Sequence, residues 1–381
     1  MRRLSLIAAY IVTARLASAG GPAFVAGSSY FDPTTKGTPV VWAQGGVNYY
    51  TDQGSLSPMM SGAGADALVA SAFSRWTAIS TAAISAVRSG QLTEDVTGSN
   101  VTSGNGQINL PADIQPNATA TPVGIVYDFD GSVTDALLGA GAGASLYCAQ
   151  NSVFGGVDNL APTAVFQHAL IIINGNCAAI SSQLPDLQYH LVRVIGRVLG
   201  LDWSQANLNV ITRAPVPIAA DYAGFPVMHE YDPQGCVPVA ICYSNNGVVN
   251  PAQPKPDDQA ALSRLYPVTA QNVANFPGKQ ILSAVTARIR GAISFDDGFG
   301  NPAQPMQGVN VVARWVDPAT GLVSRSLVVA SISGSLFQGN AGNVVTGFTD
   351  SRGNPFNTYG SDDPTLEGYF DLDGLPIPGG Y

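Results

Sequence analysis

Apolar side chains recur at helical spacing in two stretches of the chain. From Ala65 onward they form one face of a first helix. A second helix begins at Pro185 and Asp186, which put a proline in its first turn and an acid at the positive end of its dipole. This second helix ends at Gly200. The first face holds Leu68, Val69, Ala72, Phe73, Trp76 and Ile79, and the second holds Leu187, Leu191, Val194, Ile195, Val198 and Leu199. A shorter helix from Gln259 to Leu265 follows Pro256, Asp257 and Asp258. The pattern predicts three main helices.

Short apolar and β-branched runs lie before and between these helices. These runs have the length of strands, and the last of them, His168–Ile173, is apolar enough to be buried on both faces of a sheet. The stretch 93–122 is rich in Ser, Gly, Asn and Thr and predicts a loop. This order of helices and strands predicts an α/β domain over residues 30–268, with strands at Val40–Trp42, Val47–Tyr50, Ala82–Val87, Gly124–Tyr127 and His168–Ile173.

The composition changes after Val268. Residues 269–282 are a linker by composition, and the rest of the chain alternates strand-like runs with turns rich in Gly, Asn and Pro. We therefore expect a second domain at 283–381, a small β-sandwich with strands at Ala287–Ile293, Val309–Ala313, Gly347–Thr349 and Gly368–Leu372.

The first nineteen residues have the order of a secretory signal peptide. Basic Arg2 and Arg3 precede an apolar run from Leu4 to Ala14, and the small residues Ala17–Ala19 follow. That run is shorter than the roughly 20 apolar residues that span a bilayer. We expect residues 1–19 to be removed, leaving a secreted or cell-envelope protein with no membrane span.

Charge and cysteine content narrow the class further. The net charge is −9 and the 17 basic residues form no stripe, which excludes a nucleic-acid binder. The four cysteines allow three pairings in an oxidising compartment, and none has the C-x-x-C spacing of a zinc knuckle. Because Cys236 and Cys242 would close a short loop, we favour that disulfide together with one between Cys148 and Cys177.

The end of the second helix resembles the zinc helix of the metzincin proteases. The string from Arg193 to Ser204 is similar to H-E-x-x-H-x-x-G-x-x-H, most closely to the matrixin form with G-L-D-H-S. Pro226–Met228 looks like the Met-turn that underlies the metal. Pro256–Pro267 and Ala72–Trp76 resemble the closing and first helices of matrixins, in the family's order. The resemblance implies a twisted mixed sheet with three main helices.

The residues that bind and use zinc in that family are replaced here. Arg193 and Arg197 stand where the first two His ligands would be, and Trp203 stands at the third. Arginine and the indole N–H offer no lone pair to a metal, and Val194 stands in place of the general base. We expect neither bound zinc nor hydrolysis.

Two interpretations of the arginines stay open. Arg193 and Arg197 form a solvated face with internal pairs to Asp202, Asp221 or Glu230, or they bind a carboxylate or another anion through paired guanidinium groups. A substitute zinc site would need the histidines to converge from three separate elements, which we do not expect. These histidines are His168, His190 and His229.

The stretch from Asp128 to Asp135 also allows two interpretations. Asp128 and Asp130 with Gly131 suggest a calcium loop, although the spacing is not that of an EF-hand. The favoured alternative is a turn followed by a helix, with a capping box between Ser132 and Asp135.

The second domain resembles the carboxypeptidase regulatory-like fold, a transthyretin-like β-sandwich. The similarity lies in ordered glycine-containing turns, at Gly291, Gly300–Pro302, Gly308–Val311 and Gly374–Pro376. The stretch 316–367 is longer than in that family. Domains of that family continue into a further strand where this chain stops at Tyr381, so we expect either a truncated sandwich or a strand supplied by a neighbour.

Taken together, the sequence predicts an exported pseudoprotease that binds or scaffolds at the cell exterior. We expect an extracellular or envelope ligand, but no motif indicates which one. We expect no cofactor, and the alternative to this is a bound calcium ion. A metallopeptidase-related hydrolase with a non-standard site and a purely structural surface protein are the other two interpretations.

Overall fold

The computed structural model describes residues 21–27, 30–104, 107–229, 250–337, 360–361 and 363–377. The predicted signal peptide 1–19 lies outside these residues, as do Cys236, Cys242, the predicted strand Gly347–Thr349 and Tyr381.

The centre of the chain is a mixed five-stranded sheet. Its strands lie in the order β2-β1-β5-β7-β6, and all neighbours are parallel except β6, which is antiparallel to β7 and forms one edge. Between β2 and β5 the chain forms a small hairpin of β3 and β4. The bounds are β1 Gly46–Thr51, β2 Ser85–Gln91, β3 Thr102–Gly104, β4 Gln107–Asn109, β5 Val123–Asp128, β6 Val153–Ala161 and β7 Val165–Asn174.

Two long helices, α1 and α4, bury one face each in the main core. Trp76 of α1 shows how they meet, because its indole Nε1 donates to the carbonyl oxygen of Val192 in α4 at 2.9 Å. The helices are α1 Gly62–Thr77, α2 Ser132–Leu138, α3 Cys148–Asn151, α4 Leu184–Val198, α5 Asn209–Thr212, α6 Ala219–Ala223, α7 Pro256–Leu265 and α8 Leu282–Val285.

Parts of the sheet differ from the expectation. Strand β6 was not predicted, because Gly155 and Gly156 interrupt its apolar pattern and the strand lies at an edge, where burial is incomplete. Val40–Trp42 is not a strand. Only Val41 makes an isolated bridge there, to Val165, while the Trp42 indole donates to the carbonyl oxygen of Val198 at 2.8 Å. The loop predicted at 93–122 contains the β3–β4 hairpin.

Beyond residue 283, the described strands pair as three two-stranded antiparallel sheets, β8 with β13, β9 with β10 and β11 with β12. Strands occur at three of the predicted positions, whereas β12 was not predicted. Their bounds are β8 Thr286–Ala292, β9 Ser294–Asp296, β10 Pro302–Pro305, β11 Asn310–Val316, β12 Val323–Ile332 and β13 Tyr369–Pro376. The chain is therefore of mixed α/β class.

The two regions pack against each other through α7. Ala260 of α7 forms an apolar cluster with Val329 of β12 and Leu372 of β13. The predicted linker 269–282 lies along the first region: the backbone N–H of Gln280 donates to the Ser80 carbonyl oxygen at 2.8 Å. Within the described ranges, no helix is both long and apolar enough to cross a membrane.

Candidate functional site

The site begins where α4 ends. Gly200 takes the left-handed conformation, with φ +92°, and a Cβ atom there would lie 2.8 Å from the Phe166 ring. The backbone N–H of Leu201 then donates to the Gly196 carbonyl oxygen at 3.0 Å. This tight turn requires glycine and brings Trp203 back against the last turns of α4.

Trp203 contacts both arginines of α4. The Arg193 guanidinium carbon lies 4.6 Å from the indole ring centroid, and that of Arg197 lies 4.7 Å from it. Cation–π contacts of this kind stabilise by about 0.5–2 kcal/mol each, more when they are desolvated. We call these three side chains the Arg–Trp–Arg cluster. The structure thus brings together three of the four positions that the resemblance compares with zinc ligands and a general base, whereas Val194, the fourth, packs against the main core.

Arg197 is also paired within the protein. Its Nη1 forms an ion pair with the buried carboxylate of Asp202 and donates to the Leu201 carbonyl oxygen at 3.3 Å. The same carboxylate accepts the backbone N–H of Trp203 at 2.8 Å. Asp202 is thus one of the internal partners that the sequence suggested, and it fixes the loop that carries the indole.

Arg193 is directed toward the chain after Met228. Its Nη2 donates to the His229 carbonyl oxygen at 2.6 Å. The His229 ring is buried and stacks on Phe225 with 4.6 Å between ring centroids. Burial, together with the positive charge of Arg193, lowers the pKa of His229 to about 3. The imidazole is therefore neutral at neutral pH.

Met228 lies directly beneath α4. A Cβ atom at Gly196 would stand 2.4 Å from the Met228 Sδ and 2.7 Å from the Trp76 ring. Gly196 falls between Arg193 and Arg197 in the sequence, so the sulfur lies under the part of the helix that carries the cluster. This close approach explains why the helix has glycine at position 196.

Two adjacent acids of α7 hold the segments around the cluster. The Asp258 carboxylate accepts the backbone N–H groups of Val227 at 2.9 Å and Met228 at 3.0 Å. Asp257 accepts from the Ser204 hydroxyl and from the Ala330 backbone N–H. Burial raises the pKa of both carboxyl groups, that of Asp258 to about 7. From the sequence, these acids were predicted only to lie at the start of a helix.

The remaining histidines lie at separate places. His168 Nδ1 is 2.6 Å from the Asp158 carboxylate across the β6–β7 pair, and His190 Nδ1 is 2.6 Å from the Ser152 hydroxyl. The His229 ring packs on Phe225, away from both pairs. Among the residues that the structure describes, no three His, Cys, Asp or Glu side chains form a group that could hold a metal ion.

Asp128 caps α2. Its carboxylate accepts the backbone N–H groups of Val133 at 3.0 Å and Thr134 at 2.8 Å, and the Thr134 hydroxyl at 2.6 Å. The predicted capping box is wrong, since the Asp135 carboxylate accepts instead from the Gly143 N–H at 2.7 Å. The buried Asp128 carboxylate, four residues before Ser132, therefore caps the helix.

Asp130 faces a separate small cavity. It accepts the backbone N–H of Ser132 at 3.0 Å, and with Asp95 it lines a cavity of about 310 Å³. Calcium at Asp128 and Asp130 stays a prediction, in which Asp128 would exchange its cap bonds for the ion.

The predicted disulfide between Cys148 and Cys177 is present, with 5.4 Å between the Cα atoms. It joins α3 to the segment that follows β7. The predicted partner bond between Cys236 and Cys242 lies outside the described residues.

The Arg–Trp–Arg cluster supplies positive charge and an aromatic face. Its side chains offer hydrogen-bond donors, whereas a metal ion or a proton in transfer needs an acceptor. The chain matches no family model, and no curated protein is significantly similar to it.

Proposed function

We propose that this chain is an exported, non-catalytic protein that binds or scaffolds at the cell exterior. Its first region would be a metzincin-like domain and its second a carboxypeptidase regulatory-like β-sandwich. The observation that carries the proposal is the Arg–Trp–Arg cluster, which lies over Met228 at the positions where the resemblance places the zinc ligands.

The contacts around the cluster support the metzincin-like assignment. The resemblance requires that a helix end in a glycine turn, that the residue at the third ligand position pack back against the helix, and that a methionine lie beneath it. Gly200 ends the helix, Trp203 returns to it and Met228 lies under Gly196. Asp258 holds the methionine segment through two backbone N–H groups. Three separate parts of the sequence, the stretch from Gly196 to Trp203, Met228 and Asp258, are thus brought together.

The side chains of the cluster support a loss of catalysis. Arg193 and Arg197 carry fixed positive charge, which repels a metal ion, and neither Val194 nor Trp203 accepts a proton. The protein contacts of the arginines also favour a structural role for them over anion binding. A carboxylate ligand would compete with Asp202 for Arg197 and with the His229 carbonyl oxygen for Arg193.

The distribution of charge supports a partner other than a nucleic acid. The net charge is −9, and several of the basic side chains are paired inside the protein, among them Arg88 with Asp66 and Arg325 with Asp221. An envelope or matrix polymer at the cell exterior is therefore the partner class that we infer.

Two measurements test the proposal. The mature protein is dialysed and analysed for metal, and then incubated with unfolded and folded protein substrates, with and without chelator. We expect no stoichiometric zinc and no cleavage. One equivalent of zinc, lost with chelator together with proteolysis, would establish the hydrolase instead.

Sedimentation with insoluble polymers separates a binder from a purely structural protein. Purified cell-wall polysaccharide and fibrous matrix protein serve as the probes. We expect saturable retention on one of them that survives moderate salt. Absence of retention on both would favour the structural interpretation.

A further inference from the structure

A second cavity lies between the two regions of the chain, away from the Arg–Trp–Arg cluster. Its volume is about 480 Å³, within the range of small-molecule sites. One wall is the segment after Trp203, with Asn207 and Leu208, and the other is formed by β11 and β12, with Asn310, Arg314 and Val323.

The walls of this cavity are fixed by hydrogen bonds between the regions. The Asn207 Nδ2 donates to the carbonyl oxygens of Asp221 at 3.0 Å and Arg325 at 2.9 Å. The Asn310 Nδ2 donates to the Gln205 carbonyl oxygen at 3.1 Å, and Arg325 pairs with the buried Asp221 at 2.8 Å. The cavity is therefore a built feature of the fold.

Two side chains that line the cavity have unused hydrogen-bonding atoms. Arg314 donates through Nη2 to the Asn207 Oδ1 at 3.2 Å, while its buried Nη1 has no partner in the part of the chain that the structure describes. The Asn310 Oδ1 is likewise buried and without a partner there. Both atoms lie in the cavity wall with almost no exposed surface, so each side chain has to turn toward the cavity before a ligand can bond to it. The bonds formed would then remove the free-energy cost of leaving these groups without partners.

The charge of the cavity favours an anion. The positive charge of Arg325 is offset by Asp221. Arg314, by contrast, has an amide as its hydrogen-bond partner, and no described acid lies within ion-pair distance of it. One uncompensated guanidinium therefore lines the cavity, and a guanidinium binds carboxylates well because its N–H groups match the two oxygens.

We propose that this cavity binds a small carboxylate with an adjacent amide and a short apolar group, as at the carboxyl end of a peptide. The carboxylate would accept from Arg314, and the amide N–H would donate to the Asn310 Oδ1. The apolar group would lie against Leu208 and Val323. This inference goes beyond the proposed function, because it uses only contacts of the cavity and holds whatever the ancestry of the first region.

Calorimetric titration of the full mature chain with N-acetyl-L-alanine tests the proposal. We expect saturable binding with a Kd of about 0.1–1 mM, given the small size of the probe. The uncharged N-acetyl-L-alaninamide should bind at least about tenfold more weakly, because it has no carboxylate for Arg314. An absence of saturable binding up to about 10 mM would overturn the proposal.

Two variants locate the site. Arg314→Met keeps the length of the side chain and should weaken binding at least about tenfold, whereas the matched Arg290→Met, at an exposed position of β8, should leave it unchanged. Equal affinity of these two variants would also overturn the proposal. Asn310→Asp supplies a second variant if Arg314→Met lowers the melting temperature strongly. Its new negative charge should reduce carboxylate binding, and unchanged binding would contradict the assignment.

Discussion

At the residue scale, Trp203 ties the end of α4 to the loop that follows it. Its ring is in contact with two guanidinium groups that belong to successive helical turns, and its backbone N–H is bonded to Asp202. Charged side chains on a helix face would otherwise be solvated and contribute little to stability. Here they are part of the packing.

Gly196→Ala tests the contact of α4 with Met228. The added methyl group would meet the Met228 Sδ at 2.4 Å and the Trp76 ring at 2.7 Å. Such overpacking costs about 1–3 kcal/mol, while the better helix propensity of alanine returns up to about 1 kcal/mol. We expect a net loss of about 1–2 kcal/mol in the free energy of unfolding, measured by urea denaturation.

Gly156→Ala is the matched control. A Cβ atom at Gly156 would have no neighbour within 4 Å, and its backbone does not need a left-handed conformation. This variant should lose no more than about 0.5 kcal/mol. If Gly196→Ala is as stable as the control, Met228 does not lie against the helix.

The buried ring of His229 predicts a dependence of stability on pH. Its pKa is lowered to about 3 by burial and by Arg193, whereas an unfolded chain has a His pKa of about 6.5. The folded state favours the neutral ring. The stability that His229 contributes is therefore fully present above about pH 6.5, and it is lost as the pH falls toward 3. Between about pH 7.5 and about pH 5.5 the loss should be about 1.4 kcal/mol.

His229→Phe isolates this effect, because phenylalanine keeps the stacking on Phe225 and does not titrate. The difference in unfolding free energy between wild type and variant is measured at both pH values. At the lower pH the variant should gain stability relative to the wild type, because only the wild type loses the contribution of His229. A difference that is the same at both pH values would show that His229 titrates normally in the folded protein.

At the element scale, strong periodicity made the helices predictable. α1 follows from its apolar face, and α4 and α7 follow from their apolar faces and from a proline and acids in their first turns, because these signals are local. Strand β6 was missed because glycines break its alternation, and its position is set by pairing with β7. The cap of α2 was missed because Asp128 acts across the turn.

The long-range contacts of α7 could not be predicted from the sequence. Adjacent acids in the first helical turn are common, since they interact well with the helix dipole. Only the fold shows that Asp258 faces the Met228 segment while Asp257 faces Ser204 and Ala330. The acids therefore connect the candidate site to both regions.

Arg264→Met tests the charges between α7 and β13. The Arg264 side chain donates to the Asp371 carbonyl oxygen, and burial lowers its pKa while the charges of Asp257, Asp371 and Asp373 oppose that shift. Removal of the cation leaves Asp257 without its compensating charge. Because the Asp371 carbonyl oxygen also loses its donor, we expect a loss of about 1–3 kcal/mol in unfolding free energy, measured by urea denaturation.

Arg290→Met removes a cation of the same type from an exposed position of β8. It should change the stability by less than about 0.5 kcal/mol. Similar stabilities of the two variants would mean that the charges at α7 do not hold the regions together.

Across the whole molecule, the sequence indicated the residues of the candidate site but few of their contacts. Arg193, Arg197 and Trp203 were identified through a resemblance, which fixes positions along the chain. The pairing of Arg197 with Asp202 spans only five residues, and the sequence suggested Asp202 as a partner. The cavity between the regions instead depends on residues far apart in the chain, such as Asn207 and Arg314, which are separated by 107 positions. Local sequence patterns carry no information about such long-range contacts.

We propose that the fold keeps a metal-site geometry whose ligands have been replaced. The triple variant Arg193→His, Arg197→His and Trp203→His places imidazoles at the three ligand positions, and Val194 is left because it would not be a ligand. Since Arg193 and Arg197 both contact Trp203, we expect the imidazoles to converge with an open fourth position for zinc. Loss of the indole should lower the stability, by up to about 3–5 kcal/mol.

The most direct test is the melting temperature of this variant with and without zinc. Zinc that binds only the folded state should raise it by mass action, and the double variant Arg193→His and Arg197→His, which keeps Trp203, should respond far less. A well-folded triple variant whose melting temperature zinc leaves unchanged would contradict this proposal, because the helix and the Trp203 loop would then not form a metal-site geometry.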